Sequence, residues 1–333
     1  MVRIFRMSWL LLVAAMFVSL ACGGAGDGSE NVAGEGTSVA DGGGKGPETQ
    51  ADKGAVTPEK TPMPTQKVFG GKRPVTIKLP IGYDPSKPIP LVVLLHGAGA
   101  NGELQSAYFG FTLLQEEEKF LMLAPDGKMS KSFGAQFWNA TDACCDADNS
   151  GVDDLGYIKG LIDEVKSVYK VDEKRVFLVG HSNGGFMSYR IACDASNYIS
   201  GIAVLAGASF NDKARCKPSQ KVNILHMHGT KDPTIQYNGG LVPRLRKPQP
   251  GAVKSVDMWA EYNGCTGGRE ATGKKLDIIT DLEGAETSVQ AVEGCPEGGS
   301  VELWIIQDGK HIPTVAPNFA KEVWNWLNKK VAK

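Results

Sequence analysis

The sequence predicts an α/β domain in which a mostly parallel sheet is covered by helices on both faces. Short apolar runs at 90–95 and 120–124 have the length and composition of strands buried on both sides. Segments with apolar residues at helical spacing, such as 154–169, alternate with these runs. A Gly-x-Ser-x-Gly turn joins the run at 175–179 directly to the next helical segment. Alternating strands and helices of this kind form parallel sheets with helices on both faces.

The predicted elements follow one another along the chain, after a half-buried strand in which apolar and polar residues alternate over 75–79. The further strands are predicted at 90–95, 120–124, 175–179, 201–205, 222–226 and 301–306. The segment 104–119 is predicted to be partly helical, and helices are predicted at 154–169, 183–193, 253–262 and 318–331. We expect one domain over 67–333, a length that a single sheet can hold.

The composition excludes several classes of protein. The 333 residues are 42% hydrophobic and 22% charged, as in ordinary globular proteins and unlike disordered or fibrous chains. The 36 Lys and Arg balance 37 Asp and Glu, giving a formal net charge of -1. This balance provides no long-range field that would attract nucleic acid, and we expect no such partner.

The segment 1–22 has the pattern of a secretory signal peptide, with two arginines before an apolar run and small residues before Cys22. Ordinary cleavage and lipoprotein processing at Cys22 both remain open, and lipid on Cys22 would be the expected membrane attachment. Residues 23–66 have no aromatic side chain and are rich in Gly, so we expect a disordered, flexible tether. The protein is therefore expected to be secreted, extracellular, or a cell-surface or periplasmic lipoprotein.

Cysteine parity favours the lipoprotein alternative. Of the seven cysteines, six remain for pairing in an oxidising compartment if Cys22 carries lipid. Their pairing stays open, although neighbours such as Cys144 and Cys145 rarely bond each other and Cys265 with Cys295 would close a loop of modest length. The spacing does not fit a zinc site, so we expect disulfides rather than a metal.

Ser182 is the candidate nucleophile. It lies at the centre of Gly180-His181-Ser182-Asn183-Gly184, between a predicted strand and a predicted helix. In this context the motif forms a turn so tight that glycines flank it, and the serine hydroxyl is exposed above the sheet. A serine with an unshifted pKa is a weak nucleophile, so it needs a base and an acid that orients the base.

The base must be one of five histidines. His96 and His228 each precede a glycine at a strand end, and His226 falls in a buried strand pattern. His181 lies inside the turn, with its side chain expected to point away from the nucleophile. His311 follows the last predicted strand, which is the position of the base in α/β-hydrolases.

The acid and the oxyanion donors follow from the same arrangement. Asp232 comes after the strand at 222–226, at the carboxyl end where catalytic groups gather in parallel sheets. The oxyanion of an acyl transfer needs two backbone N–H donors. Asn183 directly follows the nucleophile and is expected to supply one. Ala98, in the small-residue loop after the strand at 90–95, is expected to supply the other, with Gly99 as the alternative.

With these residues, the chain resembles the secreted esterase family that contains polyhydroxybutyrate depolymerases, feruloyl esterases and acetylxylan esterases. The resemblance extends over about residues 73–325. It implies an α/β-hydrolase fold and cofactor-free ester hydrolysis through an acyl-enzyme, with Ser182, Asp232 and His311 as the triad. The motifs that carry it are Leu94–Gly97, Ala124–Gly127, Phe137–Asn139, Cys144-Cys145, Val152–Asp154, Gly180–Gly185, His228–Asp232, Tyr237–Gly240, Trp259, Asn263–Cys265 and His311.

Three residues in or beside these motifs, Trp138, His181 and Tyr237, are candidate substrate-binding residues, although Trp138 could equally fill the core. Around His311 the chain has Gly309-Lys310-His311-Ile312-Pro313, where family members often have aromatic residues. This departure removes aromatic surface beside the site and favours soluble esters or loose oligomers over crystalline polymer.

Five aspartates between 142 and 154 could suggest calcium, which takes several carboxylates. Their spacing does not match an EF-hand loop. We expect a solvated acidic loop in which Asp153 or Asp154 caps the following helix, and no metal.

The expected function is a secreted or surface-tethered serine esterase, with feruloyl or acetyl esters of plant polysaccharide as the preferred substrates. The alternatives are a short-chain polyhydroxyalkanoate depolymerase, a peptidase on the same fold, and a non-catalytic binding lipoprotein. Acyl and alcohol specificity and the oligomeric state stay open, because they depend on pocket and surface shape rather than on motifs.

Overall fold

The computed structural model describes residues 61–132, 134–243 and 245–330. The predicted signal segment 1–22 with Cys22 lies outside the described residues, as does the predicted tether except for its last residues. None of the helices in the described ranges is both long enough and apolar enough to cross a membrane.

Eight strands form one central sheet within the part of the chain that the structure describes, and six further strands pair as small two-stranded sheets. The strands are β1 Val68–Phe69, β2 Val75–Thr76, β3 Ile89–Leu95, β4 Leu121–Leu123, β5 Lys128–Ser130, β6 Ala135–Phe137, β7 Val171–His181, β8 Gly201–Leu205, β9 Asn223–Gly229, β10 Gly240–Leu241, β11 Pro248–Gln249, β12 Arg269–Leu276, β13 Thr287–Val292 and β14 Val301–Ile306. The order in the central sheet is β12-β13-β14-β9-β8-β7-β3-β4. From β14 to β4 all neighbours are parallel, whereas β12 and β13 pair antiparallel at one edge.

Helices cover both faces of this sheet. They are α1 Gly102–Phe109, α2 Phe111–Glu118, α3 Asp154–Val168, α4 Asn183–Asp194, α5 Gly251–Asn263 and α6 Phe319–Lys329. Short 3₁₀ turns lie at Ser196–Tyr198 and Lys213–Arg215. The predicted mostly parallel sheet with helices on both faces is confirmed.

The alternation of side chains along β3 divides the core into two layers. Leu91, Val93 and Leu95 pack with residues of α3, α4 and α5 on one face. Val92 and Leu94 pack with residues of α1, α2 and α6 on the other. Because all seven residues of β3 are buried, this strand reads as a continuous apolar run in the sequence.

The segment 104–119, which was expected to be partly helical, forms two helices, because Gly110 ends α1 in the left-handed region at φ 75° and the chain restarts as α2. The β12–β13 hairpin was not predicted. Six successive residues of β12 are exposed, so that strand lacks the alternation that would reveal it.

The cysteines pair as Cys193–Cys216, Cys265–Cys295 and Cys144–Cys145 in the described residues. The pairing of Cys144 with Cys145 corrects the expectation that neighbours would not bond. A cis peptide bond joins the two residues.

The packing of Trp324 is expected to contribute strongly to the free energy of unfolding, because it holds α6 to the sheet. Trp324 is 2% exposed and stacks on Phe120 with 4.7 Å between ring centroids. Trp324→Ala is expected to lower the free energy of unfolding by about 3–5 kcal/mol, since it empties a packed site. The matched control is Leu113→Ala on α2, because Leu113 is 81% exposed. Urea unfolding measures both variants, and equal stability of the two would contradict this account of the packing.

Candidate active site

The turn between β7 and α4 presents Ser182 above the carboxyl edge of the sheet. β7 ends at His181, α4 begins at Asn183, and Ser182 between them has φ 50° and ψ −119°. A Cβ atom at Gly184 would lie 2.0 Å from the Leu95 carbonyl oxygen. Only glycine at that position lets the turn approach β3 closely enough to adopt this shape.

Three side chains from separate loops meet at this turn. Ser182 Oγ lies 2.9 Å from His311 Nε2, and His311 Nδ1 lies 2.8 Å from Asp232 Oδ2. Asp232 follows β9, and His311 follows β14, the parallel neighbour of β9. The structure thus brings together the three residues that the sequence singles out as nucleophile, base and acid.

The Asp232 carboxylate is held as an ionised acceptor. Its Oδ1 accepts hydrogen bonds from the backbone N–H groups of Thr234 and Ile235, at 2.7 and 2.8 Å. Burial raises the pKa of Asp232, but hydrogen bonds from His228 and His311 outweigh it and leave that pKa below its usual value. An ionised Asp232 keeps the His311 proton on Nδ1 and leaves Nε2 free to accept from the serine hydroxyl.

His181 holds the base rather than lining a binding surface. Its Nε2 lies 2.9 Å from the backbone oxygen of His311, to which it donates since a carbonyl only accepts. Burial first, and the neighbouring His311 second, lower the pKa of His181 to about 4. The His181 ring packs between Tyr108, Phe109 and His311, and His181 does not line the cavity that contains Ser182, where a substrate contact was expected.

Two further expected substrate contacts lie elsewhere. Trp138 is 0% exposed, and its Nε1 donates to the His96 carbonyl oxygen at 3.1 Å, so it is a core residue behind the site. Tyr237 lines a separate surface cavity beside α5, and its ring edge packs on His228 at 5.8 Å between centroids. Neither residue lines the cavity that contains Ser182.

The loop after β3 contains Ala98 and Gly99, the two residues that were expected as alternatives for one oxyanion donor. The N–H of Gly99 already donates to the Gln136 carbonyl oxygen at 2.9 Å, which removes Gly99 as the alternative. Ala98 remains, and it lines the same cavity as Ser182. Asn183 begins α4, where a first-turn N–H has no acceptor within the helix and is free for an anion.

The Asn183 side chain has a second role that the sequence does not reveal. Its Oδ1 accepts from the Trp138 N–H at 2.7 Å, and its Nδ2 donates to the Trp138 carbonyl oxygen at 2.9 Å. Nδ2 also lies 3.6 Å from the Cys144 sulfur. Asn183 therefore fixes the segment that forms one wall of the site.

The cavity at Ser182 is apolar and small, about 340 Å³. Its walls include Cys144 and Cys145 together with Ala98, Ala135, Ile235, Val242 and Pro243. A larger groove of about 550 Å³ shares Cys144 and Leu245 with it and is lined by charged residues, namely Asp142, Asp146, Arg190, Asp194, Arg215 and Lys247. An apolar cavity therefore adjoins a polar groove beside the nucleophile.

The aspartates between 142 and 154 accept backbone hydrogen bonds. Asp153 caps α3 by accepting from the Gly156 N–H at 2.8 Å, which confirms the expected cap. Asp154 is buried and pairs with Arg73. Within the described ranges, no group of three or more His, Cys, Asp or Glu is arranged to hold a metal ion.

Sequence reasoning missed a row of polar side chains behind Asp232, formed by Tyr189, His226 and His228. Two histidines at positions i and i+2 of a strand lie on one face of the sheet. The spacing of His226 and His228 could therefore have indicated that the two side chains lie close together. No local sequence pattern indicates that Tyr189 of α4 contacts His226.

Comparison with known proteins finds similarity to several esterases. Residues 81–242 match the phospholipase/carboxylesterase family model. Feruloyl esterase B of Piromyces equi is 29% identical over 77% of this chain and 45% of its own length. Feruloyl esterase D of Neurospora crassa is 26% identical over 75% of this chain and 77% of its own length. An acetyl xylan esterase structure from Aspergillus awamori superposes with a TM-score of 0.55 at 15% identity, covering 77% of this chain and 93% of that one.

The chain has the α/β-hydrolase fold, as its mostly parallel sheet and its structural similarity to the acetyl xylan esterase show. Within that class, its sequence resembles the feruloyl esterases, which confirms the similarity expected from its motifs. The chain spans less than half the length of feruloyl esterase B and about three quarters of feruloyl esterase D.

His181 predicts a pH dependence of stability. Its pKa of about 4 in the folded protein lies below the ordinary value of 6.5. The unfolded chain therefore binds more protons between these values, so the free energy of unfolding falls as the pH drops from about 6.5 to about 4. The contribution of His181 is on the order of 3 kcal/mol.

In His181→Gln this part of the decline is expected to be absent. Burial also lowers the pKa of His96 and His226, so the wild type retains a further decline from those residues. Urea unfolding of both proteins between about pH 4 and pH 7 isolates the His181 contribution as a difference. Parallel pH profiles for the two proteins would contradict a buried neutral His181.

Proposed function

We propose that this α/β-hydrolase is a serine esterase that hydrolyses carboxylic esters through an acyl-enzyme on Ser182. The observation that carries the proposal is the continuous hydrogen-bonded relay from Ser182 Oγ through His311 to Asp232. A nucleophile, a base and an orienting acid in hydrogen-bond contact are what acyl transfer by serine needs.

In the first half of the reaction Ser182 Oγ attacks the ester carbonyl carbon while its proton passes to His311 Nε2. The carbonyl oxygen becomes an oxyanion that the backbone N–H groups of Ala98 and Asn183 stabilise. The imidazolium on His311 is stabilised by Asp232. The intermediate then expels the alcohol, which takes the proton from His311.

In the second half a water molecule repeats the attack on the acyl-enzyme. His311 Nε2 accepts the proton of this water, and the same two N–H groups hold the second oxyanion. Collapse releases the carboxylic acid and returns the proton to Ser182. The residues named here balance the reaction without a cofactor.

We further propose feruloyl or acetyl esters of plant polysaccharide as substrates. The sequence similarity to feruloyl esterases supports this choice. The apolar cavity at Ser182 suits an aromatic or short acyl group, since pockets for small ligands begin at about 300 Å³. The adjoining charged groove suits a hydroxyl-rich alcohol, which can exchange hydrogen bonds with its carboxylates and guanidinium groups.

We also propose that the enzyme works outside the cytoplasm, secreted or tethered through lipid on Cys22, with the catalytic domain over 67–333. The disulfides Cys193–Cys216 and Cys265–Cys295 support this location, since such bonds persist in oxidising compartments.

The relay predicts that single substitutions abolish turnover without unfolding the protein. Ser182→Ala or His311→Ala is expected to lower kcat by about 10⁴-fold or more, because each removes a group that acts in every cycle. The control Ser167→Ala changes an exposed serine near the end of α3 and should leave kcat unchanged. Turnover of methyl ferulate and p-nitrophenyl acetate measures the effect, and circular dichroism reports the fold. Undiminished turnover in Ser182→Ala would remove Ser182 from the mechanism.

The cavity predicts acyl selectivity. Val242→Phe is expected to lower kcat/KM for methyl ferulate about tenfold or more relative to acetylated xylan, because the larger side chain fills the space for a bulky acyl group. The control Leu241→Phe enlarges a neighbouring side chain that is 50% exposed, and it should preserve the ratio. If the wild type cleaves only hydroxybutyrate oligomers, the proposed polysaccharide ester is wrong and the substrate is a polyhydroxyalkanoate. A folded wild type that cleaves no ester would favour a binding protein.

A further inference from the structure

A chain of three buried polar side chains runs from α4 to the acid of the relay. Tyr189 Oη lies 2.7 Å from His226 Nδ1, and His226 Nε2 lies 3.0 Å from His228 Nδ1. His228 Nε2 lies 2.7 Å from the Ile235 carbonyl oxygen and 3.4 Å from Asp232 Oδ2. Tyr189, His226 and His228 are each 0% exposed.

The carbonyl at one end determines every proton position along this chain. A carbonyl oxygen only accepts, so His228 carries its proton on Nε2 and in the neutral form accepts on Nδ1. His226 must then donate from Nε2, which leaves its Nδ1 to accept from the Tyr189 hydroxyl. All three donors therefore point along the chain toward the loop that bears Asp232.

This chain acts on the turn that fixes the acid. Asp232 Oδ1 accepts from the N–H groups of Thr234 and Ile235, and the carbonyl of the same Ile235 accepts from His228. His228 thus holds the far end of the turn and lies beside the oxygen that binds His311. A shift of about 1 Å in a group that orients a catalytic residue can lower turnover about 100-fold.

Apolar side chains in place of Tyr189, His226 and His228 would avoid the cost of burying polar groups. Buried hydroxyl and imidazole groups are unfavourable unless each is hydrogen-bonded, and a complete network favours a single arrangement of its members. α4 also begins directly after Ser182, so the chain links the helix behind the nucleophile to the loop that carries the acid. One end of the chain is thus Tyr189 on α4, and the other end is the loop that carries Asp232.

We propose that His228 is a positioning residue for catalysis, oriented by His226 and Tyr189 as an Nε2–H donor to the turn at Asp232. This inference rests on the proposed esterase function. It concerns residues that touch neither the substrate nor Ser182, and it assigns the Tyr189–His226–His228 chain to the rate of the chemical step rather than to substrate binding.

The kinetic test compares two substitutions of His228. His228→Leu removes the donor and is expected to lower kcat about 10- to 100-fold while KM changes less than about twofold. His228→Gln places an amide N–H near the position of Nε2 and is expected to retain at least about a third of kcat. Titration of competent sites with a fluorophosphonate normalises kcat to folded enzyme. An equal loss in both variants, or a change in KM alone, would overturn the positioning role.

A pair of tyrosine variants tests the other end of the chain. Tyr189→Phe removes the hydroxyl that donates to His226 and is expected to lower kcat about three- to tenfold. Tyr198→Phe removes a hydroxyl that donates to Asp163 at the surface, and it should leave kcat unchanged. Equal kcat values in the two variants would show that the chain does not reach the acid.

The proton positions can be measured without any substrate. Nitrogen-15 NMR of the wild type is expected to show a proton on Nε2 of both His226 and His228, with Nδ1 of each ring acting as the acceptor. A proton on Nδ1 of His228 would overturn the inference even if the variants fail to fold. A folded wild type that hydrolyses no ester would instead overturn the proposed function, whereas an active wild type with fully active His228→Leu would overturn this inference alone.

Discussion

The turn at Ser182 is the constraint on which the rest of the site depends. Its positive φ can persist only because β3 and α4 approach each other closely at Gly184, where no side chain would fit. β7 lies between β3 and β8 in the sheet, so the turn emerges at the centre of the carboxyl edge. The loops after β3, β9 and β14 open at the same edge, because these strands are parallel to β7. Parallel pairing therefore delivers the oxyanion loop, the acid and the base to one place.

The protonation of the buried histidines determines the charge around His311. His181 and His226 are kept neutral by burial, which lowers the pKa of both. A permanent imidazolium next to His311 would repel the positive charge that His311 acquires during catalysis. Asp232 is meanwhile ionised, since hydrogen bonds outweigh the effect of burial on its pKa. The site thus holds one fixed negative charge for the transient positive charge on the base.

The elements that could be predicted from the sequence are those whose signal is local. β3 is apolar along its whole length, and the glycines around Ser182 are adjacent in sequence to the residue they serve. The order of Ser182, Asp232 and His311 along the chain follows from parallel connections, so the relay could be anticipated before any distance was known. These features needed no knowledge of tertiary contacts.

The features that could not be predicted depend on partners distant in sequence. Trp138 belongs to the core because Asn183 and the His96 carbonyl hold it there, and its sequence context fits a substrate contact equally well. His181 contacts the backbone of a residue 130 positions away, which no local pattern reveals. β12 is exposed and polar, so its strand conformation comes from pairing with β13 rather than from its own composition.

The remaining specificity lies in the loops rather than in the sheet. Cys144 and Leu245 border both the apolar cavity and the charged groove, so these two residues mark the boundary between them. If Ser182 is the nucleophile, as proposed, the scissile bond lies in the cavity, and the acyl group is directed inward and the alcohol outward toward the groove. The Asn183 side chain contacts the Cys144 sulfur, and the Asn183 backbone N–H is a proposed oxyanion donor. In the proposed mechanism, a rearrangement of that wall would therefore disturb this donor as well as the shape of the acyl cavity.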